Sequence, residues 1–144
     1  MISFVPYNLR LYRQTYFGLR DVLYPLVRDG RASVLPMQRA QPDRAWLLEI
    51  CPASTLKREG MYWPYKGKMD EHRTARASIL ERLEATGALS IPAPAVRSAV
   101  LEDRGGDALD SVIAAFAAFW ALRAPAFPGV EGNDAYVLEG YVYV

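Results

Sequence analysis

The sequence predicts a single α/β domain. Three observations predict it: an early helical stripe that stops at glycine, two short apolar strand candidates behind it, and two longer helical stretches ahead of a closing aromatic segment. A chain of 144 residues suits one domain, and 51% hydrophobic residues with 12% aromatics are enough for a packed core.

Taking the elements in order, Tyr16, Leu19, Leu23, Leu26 and Val27 recur at spacings of three and four ahead of Gly30, which predicts an amphipathic helix over 15–29. Its polar face carries Arg20, Asp21 and Arg28. Ala32 to Met37 and Trp46 to Cys51 are short apolar runs ended by polar residues or proline, and both read as strands, the second central. Ser54 is placed to cap a short helix through Gly60, and residues 61–68 have no period and read as a loop. From Asp70 to Ala85, Ala75, Ile79, Leu80 and Leu83 form a stripe opposite Arg73, Arg76, Glu81 and Glu84. A shorter helix near Ala95–Glu102 leads to the turn Asp103-Arg104-Gly105-Gly106. The next helix, from Asp107 to Arg123, is apolar on nearly every side, as suits a central helix packed on a sheet and covered by other helices. Tyr136 to Val144 reads as a closing strand interrupted near Gly140.

Composition narrows the function classes. A net charge of +1 gives no general electrostatic case for nucleic acid, membrane or acidic partners. The distribution is uneven: Arg10, Arg13, Arg20, Arg28, Arg31 and Arg39 face only Asp21 and Asp29 before residue 41, whereas carboxylates dominate after residue 100. A single cysteine, Cys51, excludes an internal disulfide, and a single histidine, His72, excludes a Cys/His zinc cluster. Met1 to Tyr7 lacks the pattern of a secretory signal, and the apolar run Val112–Leu122 is shorter than the roughly 20 residues a bilayer needs, so a cytoplasmic protein without a membrane span is expected.

Several residues have the right chemistry for a site. Glu49 stands in the apolar run Trp46–Cys51 near a strand end, where it reads either as a metal ligand at the mouth of the sheet or as a strand glutamate that is paired or faces water. Asp107 and Asp110 leave one helix face at the start of the apolar helix. Their mutual repulsion would be relieved by Mg²⁺ or Mn²⁺, while the helix dipole and an N-cap role for Asp107 explain them equally well. Lys66, Lys68, Arg73 and Arg76 lie among Tyr62, Trp63 and Tyr65, a pattern suited to phosphate contact with stacking or to plain solvation. Arg10, Arg13 and Arg20 among Tyr7, Tyr12, Tyr16 and Phe17 permit the same reading. Ser54-Thr55-Leu56-Lys57 matches a serine–lysine pattern without its companion motifs, and Cys51 with His72 implies no third catalytic partner, so neither is adopted.

Glu49 followed by Cys51-Pro52-Ala53, then Tyr65-Lys66-Gly67, Ile79-Leu80-Glu81-Arg82-Leu83, Gly106-Asp107-Ala108-Leu109-Asp110 and the closing Glu139-Gly140-Tyr141, resembles a predicted nuclease family of unknown function with an RNase H-like fold. The resemblance covers residues 45–144. It implies a partial RNase H-like fold in which a mixed sheet is packed by helices. It also implies a metal-dependent phosphodiester hydrolase, with Glu49, Asp107 and Asp110 as catalytic Mg or Mn ligands and Lys66, of the family's lysine–glycine pair, near phosphate; the residue pattern adds Lys68, Arg73 and Arg76 to the phosphate-binding set. Asp110, with Asp107 beside it, matches the acidic residue of the last core helix, much as in Holliday-junction resolvases. Such folds begin with three antiparallel strands, the first bearing a central aspartate, and no such strand is expected before Phe4. The chain then reads as a fragment or a short relative that needs a further acidic ligand. The truncated sheet edge predicts a homodimer or higher assembly that covers it. The reading from another class is a noncatalytic binding or oligomerisation module that keeps the scaffold.

Overall fold

The computed structural model describes residues 12–124, 130 and 132–144, so Tyr7 and Arg10 of the first basic and aromatic group lie outside the described residues. The chain is α/β. It opens with a helical arm made of α1 (Tyr12–Phe17), a π-helical stretch (Gly18–Leu23) and α2 (Tyr24–Arg28). The expected helix is therefore present, but widened in the middle, where the Tyr24 N–H reaches back to the Leu19 carbonyl. Pro25 cannot donate to the carbonyl of Asp21, and the wide turn lies directly before it. Bonds from Gly30 N–H to Val27 O and from Arg31 N–H to Leu26 O close the arm. None of its residues is buried, so the stripe that predicted the helix does not enter the core.

Two strands follow, β1 (Ala32–Leu35) and β2 (Ala45–Ile50), paired in parallel with Ala32 opposite Ala45 and Leu35 opposite Leu48. Residues 36–44 carry the chain out of the sheet and back to the start of β2, which lets both strands run the same way. The last strand, β3 (Val142–Tyr143), joins β2 in parallel with Glu49 opposite Val142, giving the order β1-β2-β3. Among the described residues the sheet is thus wholly parallel, which corrects the expected mixed sheet. The outer side of β1 is closed locally. Val34 N–H donates to Gln38 Oε1, and Gln38 N–H donates back to the Val34 carbonyl, so a side chain takes the place of a neighbouring strand.

The closing segment differs most from expectation. Residues Asp134–Glu139 form a helix, α7, and only Val142–Tyr143 is strand. Asn133 caps the helix by accepting the Ala135 N–H, Asp134 favours its first turn and Gly140 ends it; these local bonds outweigh the strand preference of Tyr136 and Val137.

The remaining helices are α3 (Pro52–Arg58), α4 (Asp70–Ala85), α5 (Pro94–Glu102) and α6 (Asp107–Arg123). Ser54 does not cap α3 as expected. Pro52, with its fixed φ, starts the helix two residues earlier, and the Ser54 hydroxyl donates to Cys51 Sγ at 3.2 Å. The main core lies among these helices, where Leu56, Ile79, Leu80, Leu83, Leu109 and Ile113 are each fully buried, every one contributing about 1.5–3 kcal/mol of hydrophobic transfer. Helix α6 packs on α3, α4 and α5 as well as on β2 and β3, the central position its composition predicts. No single described helix is long and apolar enough to cross a membrane.

Candidate functional site

The site begins where β2 ends. Cys51, Pro52 and Ala53 leave the carboxyl end of the strand and line an open pocket of about 400 Å³ together with Tyr62, Trp63, Pro64, Tyr65, Lys66 and Asp110. Parallel sheets place ligand sites at this end, because the loops leaving the strands converge there. The loop 61–68 forms the far wall and is anchored from behind by Arg76. That side chain is 2% exposed and donates to the carbonyls of Leu101 at 2.8 Å and Tyr65 at 2.6 Å, so its charge is met by main-chain dipoles.

Two glycines let the loop and the start of α6 meet. A Cβ on Gly106, whose φ is +79°, would stand 2.9 Å from Lys66 Cγ and 3.0 Å from the Tyr65 ring. A Cβ on Gly67, at φ +148°, would strike the His72 imidazole at 2.8 Å. The Gly67 N–H also donates to the Arg104 carbonyl at 2.9 Å, fastening the loop to the turn before α6. In this way the lysine–glycine and glycine–aspartate pairs, far apart in sequence, become one structural unit.

At their junction sits Asp110. Tyr65 donates its phenol to Asp110 Oδ1 at 2.5 Å, and Lys66 Nζ donates to Oδ2 at 2.6 Å while lying 3.9 Å from Asp107 Oδ1. Burial, reinforced by the hydrogen bond to Asp110, pushes the Tyr65 phenol well above its ordinary pKa. The hydrogen bond to the same carboxylate raises the Lys66 ammonium above its ordinary range and outweighs the opposing effect of its partial burial. Asp107 is open to water and does not cap α6. That role falls to Asp103, whose carboxylate accepts the Gly105 and Ala108 N–H groups and is held below the usual carboxylate range chiefly by the bond from Ala108.

The expected site residues are only partly gathered. Lys66, Asp107 and Asp110 meet; Glu49 is exposed on β2, makes no ion pair among the described residues and does not line the pocket. No group of three or more His, Cys, Asp or Glu side chains that could hold a metal is present among the described residues. The two aspartates share a lysine where a cation would have to sit, and as they stand they are an incomplete donor set for Mg²⁺ or Mn²⁺. Lys68 is exposed, and Arg73 is paired with Glu102 at 2.8 Å. Arg76 was expected on the polar face of α4 and near phosphate; it faces inward instead, one turn before Ile79 and Leu80 on the buried stripe. Two cations outside the expected set border the pocket's aromatics, with Lys57 4.9 Å from the Tyr62 ring centre and Arg82 5.4 Å from that of Trp63. Their spacing from the rings depends on how α3 and α4 flank the loop, which no local pattern reveals. His72 packs on Gly67, and among the described residues no hydrogen bond joins it to Cys51. Comparison of the whole chain with known protein families, with curated proteins and with solved structures finds no match in any of the three.

Proposed function

We propose that this chain is a phosphodiester-recognition domain of RNase H-like ancestry that binds a nucleotide unit of a nucleic acid in the pocket beyond β2. The observation that carries the reading is the convergence of Lys66 on Asp110 and Asp107 beside an aromatic wall, from segments 44 residues apart. Lys66 is the exposed cation placed to exchange its carboxylate for a phosphate oxygen. Tyr62, more than half exposed, offers a face for a base or sugar, and Lys57 and Arg82 add positive charge around the aromatic wall. Fluorescence anisotropy with labelled single-stranded DNA and RNA tests this. Binding should weaken with salt, and Lys66→Ala and Tyr62→Ala should each weaken it about 10-fold, within the range of a lost phosphate or stacking contact. Wild-type affinity in either variant, or no binding at low salt, sinks the reading.

A second reading, the metal-dependent nuclease, is supported by the order of the motifs and by the paired aspartates at the start of α6. It requires Mg or Mn and at least one ligand beyond the pair. Manganese-dependent cleavage of the same oligonucleotides that disappears in Asp110→Asn would favour it. Binding without cleavage favours the noncatalytic reading.

A further inference from the structure

Lys66 is held more firmly than a solvated surface lysine needs to be. The buried Arg76 guanidinium grips the main chain on either side of it, Nη1 donating to the Tyr65 carbonyl at 2.6 Å and to that of Gly67 at 3.4 Å. The Gly67 N–H is tied in turn to the Arg104 carbonyl, and the stem of the lysine lies on Gly106, where a Cβ would stand 2.9 Å from its Cγ. From that fixed base the ammonium reaches Asp110 Oδ2 at 2.6 Å and comes within 3.9 Å of Asp107 Oδ1. The other oxygen of Asp110 accepts the Tyr65 phenol.

We propose that Lys66 is the resident counter-cation of the Asp107 and Asp110 pair, standing where the family resemblance would put Mg²⁺ or Mn²⁺, so that this site works without a divalent ion. The donor set favours the lysine over a metal. Mg²⁺ requires near-octahedral oxygen coordination at about 2.0–2.1 Å. Here both oxygens of Asp110 already accept hydrogen bonds, Asp103 is committed to the Gly105 and Ala108 N–H groups, and Glu49 does not line the pocket, which leaves Asp107 as the open carboxylate. A divalent ion would also meet the Lys66 charge within the same pair, and the clamp on the main chain at both sides keeps that charge close. The ammonium meanwhile does for the pair what a metal would, offsetting the repulsion of two carboxylates one turn apart on α6.

Isothermal titration of the full chain with Mn²⁺ alone tests this. The proteins are the wild type, Asp110→Asn, Lys66→Met, which keeps the stem and removes the ammonium, and the double variant, each checked for folding by circular dichroism. The wild type should show no saturable binding below roughly 1 mM, Lys66→Met should take up Mn²⁺ at least about 10-fold more tightly, and adding Asp110→Asn should abolish that gain. A folded Lys66→Met that gains nothing, or whose gain survives Asp110→Asn, overturns the proposal. So does saturable wild-type uptake that is lost in Asp110→Asn, a result that stands even if Lys66→Met fails to fold. The inference shares its site with the phosphodiester reading but does not rest on it. No nucleic acid is present in the titration, so failed oligonucleotide binding counts against that reading alone, and wild-type manganese uptake against this one alone.

Discussion

Tyr65 is held at both ends, its ring in the helical core and its phenol on Asp110. Replacing it with phenylalanine keeps the ring and removes one hydrogen bond to a charged group, so urea denaturation should register a loss of about 1.5–3 kcal/mol. The pH dependence has a defined sign. Because the phenol's folded pKa lies above its unfolded value of about 10, its contribution is complete below that pH and is lost as pH rises further; Lys66 acts in the same direction. The denaturation midpoint should therefore fall as pH rises above about 10, and fall less steeply in Tyr65→Phe. Lys66 and Asp110 were each singled out in the sequence, but their ion pair and the hydrogen bond from Tyr65 were not legible, since they join segments far apart in the chain and Tyr65 sits in an aperiodic loop among Tyr62 and Trp63. Arg76 was misread for the opposite reason. Its spacing from Ile79, Leu80 and Leu83 places it on the buried stripe, and its charge concealed a position that periodicity alone assigns.

At the level of elements, the turn from Asp103 to Gly106 sets the start of α6 and, through the Arg104 carbonyl, holds the loop at Gly67. Asp103→Ala should lower the melting temperature at neutral pH by leaving the Gly105 and Ala108 N–H groups without their acceptor. The folded pKa of Asp103 is depressed, so its contribution is present above about pH 4 and is lost as pH falls; the melting curves of variant and wild type should differ at neutral pH and converge at acid pH. Helices α4 and α6 lie at the predicted residues because their apolar patterns persist over several turns and glycine or a polar turn bounds them. Helix α7 was missed because six residues are too few to show a period, and Tyr136 and Val137 carry strand preference. The deciding signal, Asn133-Asp134 ahead of Gly140, was in the sequence as a cap and a stop. The parallel direction of β1 and β2 was not legible, because it depends on the path of residues 36–44 and not on the composition of either strand.

For the whole molecule, the short sheet depends on Gln38 to close one side of it. Gln38→Ala frees the Val34 N–H, while the main-chain bond from residue 38 to the Val34 carbonyl can remain, with an expected cost of about 1 kcal/mol and more light scattering on heating, as an opened strand edge finds other chains. Unchanged scattering would mean that the edge is already too short to recruit a neighbour. The arm has a different bearing on stability. It meets the body chiefly where α2 touches β1, whereas the helical core closes around α6 without it. Detaching the arm therefore breaks few of the contacts that hold the rest, and its amides exchange with solvent according to that one local attachment, not the free energy of global unfolding. The arm can thus come away while the pocket beyond β2, built on α3, α4 and α6, keeps its shape.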